Sequence, residues 1–127
     1  KADVFFVGGI LYYPSLLMTY IKCQRELKKH TKIYMTFFDY GETDFVMCEF
    51  CENDRAVDIH HLEGRGMGGS NSKDYIENLV GLCRDCHNNC EHDKMANFYC
   101  KIKHLENVCH QIYAKIEYEK RYENRKK

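Results

Sequence analysis

The sequence predicts a small α+β domain assembled around a four-cysteine metal frame. Three observations lead there. Two Cys-x-x-Cys pairs, Cys48 with Cys51 and Cys83 with Cys86, are separated by 31 residues. Short β-prone runs lie before each pair. An apolar alternation of three and four then fills the last third of the chain, which is the period of a long helix. A chain of 127 residues is expected to form one domain.

The elements follow in order. Residues 4–13 are apolar and β-prone around Gly8 and Gly9, which predicts a strand or hairpin. Pro14 and Ser15 suit a first helical turn, and Leu16, Leu17, Tyr20, Ile21, Gln24 and Leu27 continue a helical spacing to about Lys29. Residues 33–40 are aromatic and end at Gly41, so a strand is expected. Phe45, Val46 and Met47 read as a strand entering the first cysteine pair, and residues 56–60 as a second strand after a turn at Glu52, Asn53 and Asp54. Four glycines between Glu63 and Lys73 require a loop. It is not a phosphate-binding glycine loop, because no Gly-Lys-Ser/Thr follows. Residues 75–82 lead into the second cysteine pair. From about Asp85 to the end a long helix is expected.

On that helix Met95, Phe98, Ile102, Leu105, Cys109, Ile112 and Ile116 form a heptad seam. Its expected partner is the helix of residues 15–29; a homodimer through the C-terminal helix is the alternative. The division is therefore residues 1–44 as a strand/helix/strand extension, 45–94 as the core, and 95–127 as the C-terminal helix.

Composition narrows the class. No apolar run approaches the roughly 20 residues needed to span a membrane, and residues 1–7 lack a signal-peptide layout. No membrane partner is expected. The eight cysteines are even in number, but paired Cys-x-x-Cys units with histidines nearby read as metal ligands in a reducing, cytoplasmic compartment. The net charge is zero, yet it is unevenly spread. Lys22, Arg25, Lys28, Lys29 and Lys32 oppose only Glu26, and the last eight residues are basic, whereas residues 39–63 are acidic. Basic flanks of this kind can follow a phosphate backbone, although a solvated helix face has the same composition.

Each Cys-x-x-Cys unit directs two sulfurs the same way, and two units facing each other complete a tetrahedral thiolate shell. Cys48, Cys51, Cys83 and Cys86 are the expected ligands of a structural zinc ion with no open position. Cys23, Cys90, Cys100 and Cys109 remain. Cys109 falls in the heptad seam, where a small buried apolar residue is expected. Cys90 and Cys100 with His104 could form a second metal set, though ordinary helix positions explain them as well.

His60 and His61 are adjacent at an expected strand end, so their side chains point to opposite faces. One can hold a metal while the other faces a water. A neutral imidazole accepts a proton near neutral pH. A divalent cation offsets the charge of a phosphodiester and its leaving oxygen.

Residues 58–69 (Asp-Ile-His-His-Leu-Glu-Gly-Arg-Gly-Met-Gly-Gly), followed by 77–87 with Glu77-Asn78-Leu79 and Cys83-Arg-Asp-Cys86-His87, resemble the HNH endonucleases. These are the ββα-metal nucleases, here the subgroup braced by a four-cysteine zinc site. The resemblance covers residues 48 to about 94, and the flanks carry none. It implies a ββα-metal motif flanked by an N-terminal helix and the long C-terminal helix, and hydrolysis of DNA to 5′-phosphate and 3′-hydroxyl ends. It also implies roles. His60 and His87 would hold a catalytic divalent ion such as magnesium, His61 would be the general base, and Asn78 would hold the loop through side-chain to backbone hydrogen bonds. Many members add a third ligand four residues after the histidine of the helix. That position is Glu91, with His92 one further on; family habit favours His92, with Glu91 the alternative. Arg65 reads equally as a phosphate contact or an exposed loop residue.

Two readings from other classes compete. A zinc-braced nucleic-acid-binding module without catalysis needs only the cysteine frame and the basic flanks, and leaves the histidines unexplained. A thiol redox protein would form two disulfides in place of the metal site.

Overall fold

A computed structural model describes residues 5–7, 10–12 and 26–127. The architecture is a small α+β one, with helices and two separate two-stranded sheets. Strands β1 (Phe5–Val7) and β2 (Ile10–Tyr12) pair antiparallel, Phe5 opposite Tyr12, as the hairpin expectation has it. The expected helix of residues 15–29 falls outside the described residues except at its end.

Helix α1 (Lys29–Phe37) replaces the strand expected over residues 33–40. The aromatic run misleads because its buried members follow helical spacing. Tyr34 and Met35 enter a core with Val46 and Leu79, and Phe38 packs against it one turn on. Intrinsic β-preference is weak beside such burial. The helix ends in a Schellman turn: Tyr40 N–H bonds to Met35 O at 2.8 Å and Asp39 N–H to Thr36 O at 3.3 Å. Asp39 takes the left-handed position, with φ 59°, and Tyr40 stacks back on Tyr34.

The expected strand at residues 45–47 is reduced to one bridge between Met47 and Arg55. Between them a tight knuckle carries the first cysteine pair, with Cys48 N–H on Asp54 O and Glu52 N–H on Cys48 O. Strand β3 (Asp58–His61) pairs antiparallel with β4 (Leu79–Leu82), His60 opposite Val80 and His61 opposite Leu79. Gly81 lies where Tyr34 crosses the sheet; a Cβ there would meet Tyr34 Oη at 3.0 Å. A glycine-rich loop and two single-turn 3-10 helices join the strands.

The single C-terminal helix of the sequence reading is two helices. α2 (Arg84–His92) and α3 (Lys94–Lys126) are broken at Asp93. Asp93 is extended, and its Oδ1 accepts from Met95 and Ala96 N–H, so it caps α3 instead of continuing α2. The seam is also corrected. α3 buries Ala96, Cys100, His104 and Val108, spaced four apart, while Met95, Phe98, Ile102, Ile112 and Ile116 are exposed, and so is Cys109, expected inside. The inner face is small and polar because His104 enters a hydrogen-bonded network. Farther along, Gln111 and Lys115 donate to Phe37 O and satisfy the end of α1. No helix among the described residues is long and apolar enough to cross a membrane.

Candidate metal-dependent active site

The four cysteines converge. Cys48 and Cys51 come from the knuckle before β3, Cys83 and Cys86 from the junction of β4 and α2, and their sulfurs lie within 4.8 Å of one another. This group is able to hold a metal ion. Cys51 Sγ and Cys83 Sγ are 3.9 Å apart, near the ~3.8 Å separation of two sulfurs on a tetrahedral ion at 2.3 Å. Cys51 is the exposed member. Backbone N–H groups of Asn53 and Asp54 bring its thiol down to about 7, so it readily supplies a thiolate. Burial pushes the Cys83 and Cys86 thiols up, which a bound cation would reverse. The second set weighed from the sequence does not form, because both ring nitrogens of His104 face other groups: Glu49 and the Ile76 carbonyl.

Cys83 is the N-cap of α2, its sulfur accepting from Cys86 N–H. The frame therefore fixes the start of the helix that carries His87. His60 of β3 and His87 of α2 meet with ring centroids 4.7 Å apart at an 89° tilt. Glu91, one turn along α2, brings Oε1 to 3.6 Å from His87 Nε2. Donor atoms of His60, His87 and Glu91 all lie within 4.8 Å of one another. The leaning toward His92 is corrected. Its Nδ1 bonds to Asn88 O at 2.7 Å on the exposed side of the helix. Positions i and i+4 share a helix face and i+5 does not.

Burial, then the neighbouring His87, lowers the pKa of His60 and keeps it neutral, as a ligand must be. His87 Nδ1 is buried without a partner among the described residues. It is His87 Nε2 that faces Glu91, and two imidazoles with a carboxylate suit a bound divalent cation.

His61, the next residue on β3, faces the other way. Its Nε2 lies 2.8 Å from Asp74 Oδ1. The Asp74 side chain is 1% exposed. Burial disfavours its charge, but hydrogen bonds from His61 and Arg65 outweigh this and hold the carboxyl below its ordinary range. Nε2 is held between the Asp74 carboxylate and Arg65 Nε, 3.0 Å away, and Nδ1 is the ring nitrogen with no hydrogen bond among the described residues. Arg65 Nη2 and Nε lie 2.6 and 3.1 Å from the same Oδ1.

Asn78 ties the loop that carries these groups. Its Oδ1 accepts from Glu63 N–H at 2.7 Å, and its Nδ2 donates to Glu63 O and Lys73 O. Both ends of the glycine segment are thus closed by one buried side chain. A cleft of about 520 Å³ is lined by His60, His61, Arg65, His87, Glu91 and Lys94. Arg65 and Lys94 are its cationic walls, suited to an anionic substrate.

His30 and Asp74 escaped the sequence reading. His30 comes from α1, its ring 4.9 Å from that of His61. Asp74 was one acidic residue at the end of a loop. Neither lies at a recognisable spacing from His61.

No protein-family model, no curated protein and no solved structure matches this chain. Residue geometry alone therefore carries the functional reading.

Proposed function

We propose that this chain is a metal-dependent endonuclease of the HNH type that hydrolyses DNA phosphodiester bonds. One observation carries the reading: two adjacent histidines of one strand diverge, His60 toward His87 and Glu91, His61 toward Asp74. That is the division of labour phosphodiester hydrolysis needs, with a cation-holding side and a proton-accepting side. A binding module has no use for it.

The four cysteines would hold a structural zinc ion. His60, His87 and Glu91 would hold the catalytic divalent ion, magnesium or another, with the half-exposed Glu91 leaving access for the waters a hard ion keeps. When bound, that ion supplies charge neutralisation at the scissile phosphate and at the departing 3′ oxygen.

The remaining steps belong to the chain. Arg65 and Lys94 draw the phosphate backbone into the cleft. His61 Nδ1 takes the proton of the attacking water. Asp74, at the other ring nitrogen, orients His61 and stabilises the imidazolium that forms once Arg65 turns to the phosphate. The products carry 5′-phosphate and 3′-hydroxyl ends.

The test is plasmid cleavage in magnesium or manganese, with and without chelator, followed by end mapping. His61→Ala should lower the rate by about 10²–10⁴-fold, the usual contribution of a positioned general base. The zinc of the cysteine frame and thermal unfolding should stay at parental values. Cleavage by His61→Ala at the parental rate sinks the assignment.

A further inference from the structure

We infer that His30, His61 and Asp74 form a second divalent-cation site, of the zinc class and inhibitory, for which Arg65 is the resident plug. The three donors come from three elements: α1, β3 and the turn before Tyr75. Their ligand atoms lie within 4.8 Å of one another. His61 Nε2 and Asp74 Oδ1 are already 2.8 Å apart. The set is separate from His60, His87 and Glu91, because β3 sends its two histidines to opposite faces.

Arg65 marks the centre of the site. Its guanidinium touches all three donors: Nε lies 3.0 Å from His61 Nε2, and Nη2 lies 3.0 Å from His30 Nδ1 and 2.6 Å from Asp74 Oδ1. One cation already sits where three donors converge. The nearly inaccessible Asp74 also keeps a second oxygen, Oδ2, with no partner among the described residues. That oxygen is a spare acceptor on the same carboxylate.

The plug and the ligands differ in how they are held. His30 and His61 lie on regular elements, and Asp74 follows a 3-10 turn. Arg65 lies in the exposed glycine segment between Gly64 and Gly66, with Gly66 in the left-handed region at φ 73°. The loop residue is the one able to leave.

Two imidazoles and a carboxylate suit zinc, and here the carboxylate is nearly inaccessible, whereas Glu91 of the other set is half exposed and open to the waters that magnesium retains. The consequence for cleavage rests on His61 being the general base; binding itself does not. With Nε2 on the metal, the ring proton moves to Nδ1. Neither nitrogen can then accept a proton from water. Zinc beyond the amount that fills the cysteine frame would therefore switch the nuclease off while magnesium supports it.

The experiment uses the full chain with its cysteine frame loaded, in excess magnesium, titrated with zinc by calorimetry and with cobalt by visible absorption. The parent should bind one zinc equivalent that His30→Ala binds on the order of 10–100-fold more weakly, the loss typical of a removed metal-site partner. Arg65→Ala should bind that equivalent more tightly than the parent. Zinc inhibition of plasmid cleavage should weaken in His30→Ala in step with binding. Equal zinc binding by parent and His30→Ala overturns the site. So does full zinc inhibition in His30→Ala, which would place the inhibitory ion on His60 and His87. A parent that binds the His30-dependent equivalent but never cuts DNA sustains the site and overturns the nuclease reading.

Discussion

Two clusters in this fold join a histidine to a carboxylate, and they differ in what is left over. In the first, Glu49 and His104 are buried between the knuckle and α3. Tyr34 Oη donates to Glu49 Oε1 at 2.7 Å, Asn107 Nδ2 to Oε2 at 2.8 Å, and His104 Nδ1 to Oε2 at 3.0 Å. His104 Nε2 donates to Ile76 O at 2.6 Å. Burial opposes the charge on Glu49, and these donors outweigh it and depress its pKa. In the second, around the cleft, Asp74 Oδ2, His87 Nδ1 and Asn97 Oδ1 are buried with no partner among the described residues. An unmet buried polar atom costs about 1–3 kcal/mol. A fold that closes the first cluster completely and leaves the second open is using the first as a brace and the second as a site.

The largest effect should come from the frame that supports both. Cys86→Ser removes one of four thiolates, and zinc binding in small sites is worth on the order of 10–16 kcal/mol, much of it expressed as folding free energy. The variant should lose its tightly held metal and its cooperative thermal transition, seen by metal analysis and circular dichroism. A Cys86→Ser chain that melts like the parent would show that the frame is not structural.

Breaking the brace comes next. His104→Ala leaves Glu49 buried and uncompensated, which typically costs about 3–5 kcal/mol. Denaturant unfolding should show this, whereas cleavage per folded molecule, at a temperature where the variant is still folded, should match the parent. If instead activity falls and stability does not, the two clusters have been assigned in reverse.

The brace also shows what the sequence could carry. Glu49 and His104 are 55 residues apart, and nothing local to either announces the other. The apolar seam through Met95, Phe98 and Ile102 is legible in the sequence, and its spacing predicts an inward face. The buried face instead runs through Ala96, Cys100, His104 and Val108, whose small and polar side chains make sense only beside Glu49 and Cys90. The cysteine frame was legible because its ligands come as local pairs. So was the divergence of His60 and His61, because strand alternation needs no tertiary information. The helix at α1 was not legible, since its aromatic residues favour strands until Tyr34 is seen packing against Gly81. His30 and Asp74 were hidden for the same reason as Glu49: their contacts cross long stretches of chain.

The open cluster can be sharpened by separating neighbours on α2. Glu91→Ala should weaken magnesium binding and cleavage on the order of 10–100-fold, read as a rise in the magnesium concentration giving half-maximal rate. His92→Ala should leave both at parental values, because His92 bonds to Asn88 O away from the cleft. The reverse ranking would mean that α2 turns by about 100° in the active enzyme.

The smallest effect should arise where the two regions join. Asp93 ends α2, which carries His87 and Glu91, and caps α3, which carries His104 and Asn107. Asp93→Ala removes hydrogen bonds to Met95 and Ala96 N–H and should cost about 1 kcal/mol, a fall in Tm of roughly 4 °C for a domain of this size. Such a loss is that of a cap alone if the magnesium dependence of cleavage is unchanged. A shift in that dependence larger than the stability change would show that Asp93 also sets the angle between the helices. The brace would then orient the cleft as well as stabilise the fold, because α3 is anchored by Glu49 at one end of that junction and α2 by Cys83 and Cys86 at the other.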